Sequence, residues 1–247
     1  MSRCWQIGQQ LLRANGTSYN VGGDLHGSER TWPLDPLPMV IEEHEWAQIE
    51  AAVIQRATLL NAMMADFYGP QRLLHERQIP PALLLANPQF LRACHGIEPR
   101  NGVFLHSYAA DMARSPDGRW QITSDRTQAP SGLGYTLENR LVSARSLSSV
   151  FSTCQVRQLA RFFDIRRDAL LNLAASQQHN PRVVLLTSGP HSETYFEHSF
   201  LAGHWGFPLV EGADLAVRDN RVYLKTLTGL DPVDIIVRRL DDVFCDP

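Results

Sequence analysis

The sequence predicts a mixed α/β protein in which helices and one β-hairpin are followed by a Rossmann-like βα layer. Three patterns carry the prediction. Apolar residues recur at helical spacing through 42–69, two strand-like runs flank a turn within 102–128, and a strand, a glycine turn, a helix and further strands follow residue 181. Strands that alternate with a helix in this way are typical of a parallel sheet.

The composition narrows the classes of protein to consider. Hydrophobic residues make up 44% of the 247, and a net charge of −3 provides no global field for nucleic acid or an anionic membrane. The four cysteines lie far apart without a CxxC pair, and neither a signal peptide nor an apolar run of about 20 residues is present. We therefore expect a cytoplasmic protein with reduced thiols that binds neither nucleic acid nor membrane.

The first part of the chain is expected to be irregular and then helical. Residues 1–41 are rich in Gly and Pro, and WPLDPLP is extended because proline and the residue before it avoid helix. The helix predicted over 42–69 has acidic residues at its start and ends at Gly69-Pro70. We interpret its apolar stripe as core.

A hairpin with a polar exit comes next. Asp117-Gly118 joins the runs GVFLHSYAADMA and WQITSD and is a strong turn signal. The segment that leaves the second strand, 123–140, is polar, carries Arg126 and Arg140, and has Pro-Ser-Gly at its centre. From the residues alone, this segment is either a cradle for an anionic ligand or a surface turn.

Helix and strand alternate in the last part of the chain. Residues 141–177 are predicted to be helical, and Asn180-Pro181 marks a boundary between domains 1–180 and 181–247. The second domain contains the strand RVVLLTSGP, the helix TYFEHSFLAGHWG and later strands. Ligands of parallel sheets bind beyond the carboxyl ends of strands, which here lie near 187–192 and 238–242.

Short catalytic signatures are missing from the sequence. It has no GxxxxGK(S/T), HExxH or GxSxG, and Gly132-Leu133-Gly134 is not a complete dinucleotide-binding pattern. The histidines at 191, 198 and 204 lie near one helical face but lack a tight zinc pattern. Cys94 beside His95 is interpreted as structural, because adjacency in sequence does not make a catalytic dyad.

Six segments carry a family likeness: NGTSYNVGGD (15–24), WPLDPLPMVI (32–41), 45–74, YAADMARSPDGRWQITSDRTQAPSGLGYTLENR (108–140), ETYFEHSFLAGHWGFPLVEGADLAVRD (193–219) and VDIIVRRLDD (233–242). Together they resemble the circularly permuted ATP-grasp proteins, which are relatives of glutathionylspermidine synthase. The resemblance implies an ATP-grasp-like hairpin and helix portion plus a Rossmann-like pre-ATP-grasp layer. The family pattern continues past the end of this chain, which implies the N-terminal part of a longer protein.

The resemblance implies a ligase that forms carbon–nitrogen bonds. Such enzymes phosphorylate a carboxylate with ATP and Mg²⁺, and an amine then displaces phosphate to give an amide or peptide-like bond. The implied substrates are a small-molecule or peptide carboxylate and an amine. The groups that bind ATP and Mg²⁺ are expected largely in the remainder of the same polypeptide, so residues 1–247 alone are expected to be inactive.

The hairpin segment departs from the family pattern at three positions, Ser124, Arg126 and Gln128, and Gln128 stands where the pattern has an arginine. The typical first strand ends in Gly-x-Asp, and the typical second strand ends in Glu-Asp-Asn, followed by an Arg and then Pro-Ser-Gly. Asp111 and Pro130-Ser131-Gly132 match this pattern, but Ser124 and Arg126 stand where metal ligands would be. Serine is a poor ligand for Mg²⁺, and an arginine repels the ion.

Three explanations of this departure remain open. Either Asp125 joins Asp111 in holding a single metal, or Glu138 or Asn139 supplies the missing oxygens, or the hairpin has given up metal. Arg126 is either a phosphate contact or the ion-pair partner of one of the two aspartates. Exposed amides beside guanidinium groups suit a phosphate or a carboxylate. The predicted catalytic residues are therefore Arg126, Arg140 and Ser131.

Further positions are predicted to bind substrate. The amide of Gly132 is expected to point into the cleft, and arginines in the Rossmann-like layer suit fork-like capture of a carboxylate, although ion pairs at a strand end are the structural alternative. The other positions are Glu193, Tyr195, Glu197, His198, Arg238, Arg239, Asp241 and Asp242. Two functions follow: an ATP-dependent ligase, or a catalytically degenerate ATP-grasp-like module that binds or scaffolds a partner protein.

Overall fold

The computed structural model describes residues 2–20, 29–35, 37–174, 180–241 and 245. The helices are α1 (Ser2–Ala14), α2 (Glu43–Phe67), α3 (Arg72–His75), α4 (Pro81–Leu85), α5 (Leu133–Ser146), α6 (Ser148–Cys154), α7 (Ala160–Leu171) and α8 (Tyr195–Trp205). The strands are β1 (Ser18–Tyr19), β2 (Arg30–Thr31), β3 (Ala109–Arg114), β4 (Trp120–Arg126), β5 (Val183–Thr187), β6 (Leu209–Val210), β7 (Leu215–Arg218), β8 (Arg221–Thr226), β9 (Gly229–Pro232) and β10 (Ile235–Arg239).

The chain divides into two compact units. Unit 1 comprises Met1–Pro38 and Ser131–Pro247, and unit 2 comprises Met39–Pro130. The boundary predicted at Asn180-Pro181 falls inside unit 1. Each unit carries candidate site residues of its own, and each is described by itself below.

Unit 1 is built around a parallel sheet with the strand order β10-β5-β6. β5 and β10 pair along their whole length, from Val183↔Ile235 to Thr187↔Arg239. The predicted βα layer is therefore confirmed. Side chains from the sheet, α5, α7 and α8 form the core of this unit: Leu137, Phe163, Val183, Leu185, Leu201, Ala202, Trp205 and Phe207.

Other elements of unit 1 surround this layer. α1 packs against α5, and the short strands β1 and β2 pair with each other. The segment after β6 forms an antiparallel sheet with the order β7-β8-β9 before the chain returns to β10. The predicted strand, loop and strand of 207–227 thus contributes to two different sheets.

The helical prediction for 141–177 is wrong at its start and in its continuity. α5 begins at Leu133, and α6 and α7 follow as separate helices. The early start has a local reason: Gly132 has a φ of 108°, which glycine adopts without strain, and the chain enters the helix directly after it. Gln155 has a φ of 47° and ends α6.

Unit 2 combines α2 with the hairpin β3-β4. α2 confirms the helix predicted over 42–69, and the strands meet around Asp117-Gly118 as predicted. β3 starts at Ala109 rather than near 102. The amides of Phe104 and Leu105 donate instead to the Asn61 side chain of α2, at 2.9 and 3.0 Å, so they are not available for strand pairing. No helix in the described part of the chain combines the length and apolar character that crossing a bilayer requires.

Candidate functional site

A β-bulge decides which way the polar side chains of the hairpin point. Ala109 pairs with Arg126, Ala110 with Asp125 and Asp111 with Ser124, but Met112 pairs with Ile122. Thr123 is therefore an extra residue in β4, and its hydroxyl donates to the carbonyl oxygen of Asp111 at 3.1 Å. A bulge of this kind re-aims the residues that follow it.

Asp111, Ser124 and Arg126 share one face of the hairpin, which we call the outer face. Arg126 donates from Nε to both carboxylate oxygens of Asp111, at 3.1 and 2.9 Å, and Nη2 lies 2.8 Å from Oδ2. These hydrogen bonds and the negative charge of Asp111 raise the pKa of the Arg126 guanidinium. The ion-pair alternative for Arg126 is thus what the structure contains.

Asp125 lies on the opposite face of the hairpin and turns toward α2. Arg56 donates from Nε and Nη2 to its two oxygens at 2.6 Å each, and the Tyr108 hydroxyl donates at 2.7 Å. The bond from Arg56, followed by that from Tyr108, lowers the pKa of Asp125 to about 2. Desolvation is the main cause that raises the pKa of Tyr108 to about 12.

The prediction that Asp111 and Asp125 share one cation is not supported by this register. Residues adjacent along a strand project from opposite faces, and the cross-strand partner of Asp125 is Ala110 rather than Asp111. Each carboxylate has its own arginine instead. The described residues contain no group of three or more His, Cys, Asp or Glu side chains arranged to hold a metal ion.

Glu138 and Asn139, the other predicted metal ligands, bind the N-terminal segment within unit 1. Glu138 is 1% exposed, and its Oε1 accepts from Asn15 at 2.6 Å and from Thr17 at 3.4 Å. The Asn139 side-chain oxygen accepts from the Trp32 indole at 2.9 Å. These oxygens hold the start of the chain on α5, and their role as metal ligands stays a prediction.

The start of α5 is held by a carboxylate from α8. Glu197 is fully buried, and its Oε2 accepts from the amides of Gly132 at 2.6 Å and Gly134 at 3.1 Å. Its other oxygen accepts from Nη2 of Arg239 at 2.7 Å. Burial is the main cause that raises the pKa of Glu197, and Arg239 and the two amides oppose it. The Gly132 amide therefore faces an internal carboxylate, and not a ligand as predicted.

His198 is enclosed by two hydroxyl groups. Its Nδ1 lies 2.9 Å from Thr187 Oγ1, and its Nε2 lies 3.0 Å from Thr194 Oγ1. Burial, followed by the positive charge of Arg239, lowers the pKa of His198 to about 4. The imidazole is thus neutral near pH 7 and serves the packing of α8 against the end of β5.

The other predicted site residues are spread over unit 1. Ser131, Glu193, Arg238 and Asp241 are exposed, and Tyr195 is half-buried in the first turn of α8. Arg140 stacks over the Phe151 ring at 5.7 Å. Arg238 and Arg239 are neighbours in β10 and project to opposite faces of the sheet. Asp242 lies outside the described residues.

Sequence reasoning missed Arg56 and Tyr108. Arg56 has a signal that could have found it, because it falls within the apolar stripe of α2 that includes Ile49, Val53 and Leu60. A charged residue in such a stripe indicates a specific partner. Tyr108 directly precedes β3 and has no comparable signal in the sequence.

The arrangement of elements has a counterpart among solved structures. A glutathione synthetase-like effector from Globodera pallida, in its apo form, matches with a TM-score of 0.56 over 98% of this chain and 57% of that chain. The sequences are 15% identical, so the likeness concerns the fold alone. It supports the class to which the fold belongs, that of the α/β proteins.

The sequence then gives the family. The profile of the circularly permuted ATP-grasp type 2 family matches residues 38–247, and the chain belongs to this family. An uncharacterised protein of Mycobacterium tuberculosis is 42% identical over 257 residues, covering 100% of this chain and 29% of that protein. An uncharacterised protein of Synechocystis is 39% identical over 232 residues, covering 94% and 48% respectively. The chain spans less than half the length of these relatives.

Proposed function

We propose that the full-length protein is an ATP-dependent ligase that joins a carboxylate to an amine, and that this chain forms part of it. The observation that carries the proposal is the family match over 38–247, which includes both the hairpin and the parallel sheet. Membership of an ATP-grasp family supports ligase-type chemistry with ATP. That the ligase joins a carboxylate to an amine is the more specific part of the proposal.

The hairpin aspartates and the lysine of this chain do not fit ATP with Mg²⁺. A hard divalent cation takes several oxygen ligands, whereas Asp111 and Asp125 are each bonded to an arginine. Lys225 is the one lysine of the sequence, and its ammonium donates to the carbonyl oxygen of Ala213 at 2.8 Å. We therefore assign the binding of ATP and Mg²⁺ to the remainder of the polypeptide.

This chain is proposed to contribute a surface for a carboxylate or amine substrate. β5 and β10 end side by side at Thr187 and Arg239, and ligands of parallel sheets bind beyond such ends. Glu193 and Asp241 are exposed and follow these ends closely in the chain. Glu197 is buried, and its bonds to Arg239 and to the amides of Gly132 and Gly134 fix these strand ends in position.

Release of ADP by the full-length protein tests the proposal. The protein is incubated with Mg²⁺ and ATP and a set of amino acids and short peptides, and ADP is measured together with the mass of the products. ADP release that needs both a carboxylate and an amine, with a new amide of the combined mass, is the expected result. Reactions with N-acetylated substrates only, which lack the amine, and reactions of residues 1–247 alone are the controls, and neither is expected to form amide.

A second function is favoured by one observation, the ion pair between Arg126 and Asp111. This pair fills the outer face of the hairpin and suits a module that binds a partner protein without turnover. Under this alternative, the same assay gives no ADP above background with any acceptor, although the protein is folded. ADP release coupled to amide formation would exclude it.

A further inference from the structure

We propose that Arg126 takes the place of a divalent cation on the outer face of the hairpin, so that this face binds no metal ion. The inference shares the family assignment with the proposed function but does not depend on turnover. It concerns the side chains of Asp111, Ser124 and Arg126, and it rests on their geometry and charge.

The side chains of Asp111, Ser124 and Arg126 converge on one face of the hairpin. Asp111 and Ser124 are directly paired across the strands, and Arg126 is two residues further along the same face. Side chains of directly opposed residues lie about 4.5–5.5 Å apart at Cβ, and diagonal neighbours are within reach of long side chains. The bulge at Thr123 is what places Ser124 and Arg126 beside Asp111.

The charges of Asp111 and Arg126 on the outer face are opposite and in contact. Asp111 supplies the one carboxylate among these three side chains, and Arg126 contacts both of its oxygens. The two side chains are 45% and 59% exposed, so the ion pair lies at the surface, where a cation from solvent could reach it. A metal ion bound at Asp111 would have to displace the guanidinium or lie against its positive charge.

The short side chain of Ser124 leaves room for the ion pair between Asp111 and Arg126. In the family pattern that the hairpin resembles, a glutamate and an asparagine stand at the positions of Ser124 and Arg126. A glutamate opposite Asp111 would add a second carboxylate at the place that the guanidinium now faces. The two departures are therefore linked: the short serine removes a negative charge, and the arginine supplies a fixed positive one.

Binding of Mn²⁺ to the purified protein tests the inference without any measurement of activity. Free Mn²⁺ is followed by electron paramagnetic resonance, and Mg²⁺ binding is followed by calorimetry. The wild-type protein is expected to show no site that is lost in Asp111→Asn. The double variant Ser124→Glu/Arg126→Asn is expected to gain one site, at least about ten-fold tighter than any on this face of the wild type, and adding Asp111→Asn should remove it.

Arg119→Asn is the matched control. Arg119 forms an exposed ion pair with Asp117 at the hairpin turn, 2.6 Å long, at the opposite end of the hairpin from Arg126. Its removal frees an aspartate without creating a metal site, so Mn²⁺ binding should not change. A wild-type site that Asp111→Asn abolishes would overturn the inference. A double variant that keeps its circular dichroism spectrum yet gains no site would also overturn it. Neither result depends on ADP release, so the proposed ligase activity is judged separately.

Discussion

Glu197 and Arg239 form a buried ion pair at the carboxyl edge of the parallel sheet, with 2.7 Å between Oε1 and Nη2. The second carboxylate oxygen accepts the amide hydrogens of Gly132 and Gly134. One side chain thus ties α8 to β10 and to the start of α5. Because burial raises the pKa of Glu197, its charged form depends on these donors.

Glu197→Gln should lower the free energy of unfolding by about 3–5 kcal/mol, the usual cost of breaking a buried ion pair by removing one of its two charges. Glutamine preserves the size of the side chain and one acceptor oxygen, so the loss reports the charge together with the one acceptor that the NH2 group replaces. Urea denaturation at neutral pH measures it. The exposed Glu193→Gln is the control, with a change within about 0.5 kcal/mol. An equal effect of both variants would mean that the pair does not hold this edge.

His198 should make the protein less stable as the pH falls from about 6.5 to about 4. The folded-state pKa is lowered from 6.5 to about 4, so between these values the unfolded chain binds a proton that the folded chain does not. The neutral imidazole contributes fully to the free energy of unfolding above pH 6.5. About 3 kcal/mol of this free energy is lost by pH 4.

Two measurements check this prediction. Imidazole resonances should show His198 neutral in the folded protein until the pH approaches 4. Unfolding free energies over the same range should depend less on pH in His198→Gln than in the wild type. A His198 that titrates in the folded protein near its ordinary value of 6.5 would contradict the assignment.

Regular elements with strong local signals could be predicted from the sequence. α2 follows from its apolar repeat, the hairpin from Asp117-Gly118, and the parallel sheet from the β-branched run that contains Val183 and Val184. The signals for these features lie in residues close together in the chain. The likeness to the family added the expectation that the hairpin and the sheet belong to an ATP-grasp protein.

The faces and partners of the polar residues could not be predicted in the same way. Strand alternation has a period of two, so the single extra residue Thr123 reverses the faces of all residues after it, including Asp125. The partner of Asp125, Arg56, is 69 residues away, and Glu197 is 65 residues from Gly132. No local pattern encodes such pairings. The sequence therefore predicts ligands for Asp125 and Glu197, where the structure has partners within the protein.

Gly134→Ala should destabilise the protein by about 1–3 kcal/mol, as expected when a methyl group is forced into a packed interior. A Cβ at this position would lie 3.0 Å from Cγ and 3.2 Å from Cα of Glu197, and the Cα belongs to the backbone of α8. Gly203→Ala, in the same helix as Glu197, is the control. No heavy atom lies within 4 Å of its added Cβ, so this change should stabilise by about 0.5–1 kcal/mol. Thermal melts of both variants measure the difference, and destabilisation of similar size in both would show that close helix approach is not the cause.

Arg126→Ala in the full-length protein should reduce ATP-dependent turnover by about ten-fold or more, while leaving the melting temperature nearly unchanged. The expected loss follows from removing the one cation that the outer face presents to an anionic group, and the unchanged stability follows because an exposed ion pair contributes little. Steady-state kinetics and a thermal melt are measured on the same samples. Arg119→Ala removes an exposed arginine of the same hairpin that pairs with Asp117, and it should affect neither quantity. If Arg126→Ala turned over at the wild-type rate, Arg126 would be a surface ion-pair residue alone, and the segment after β4 would be a surface turn.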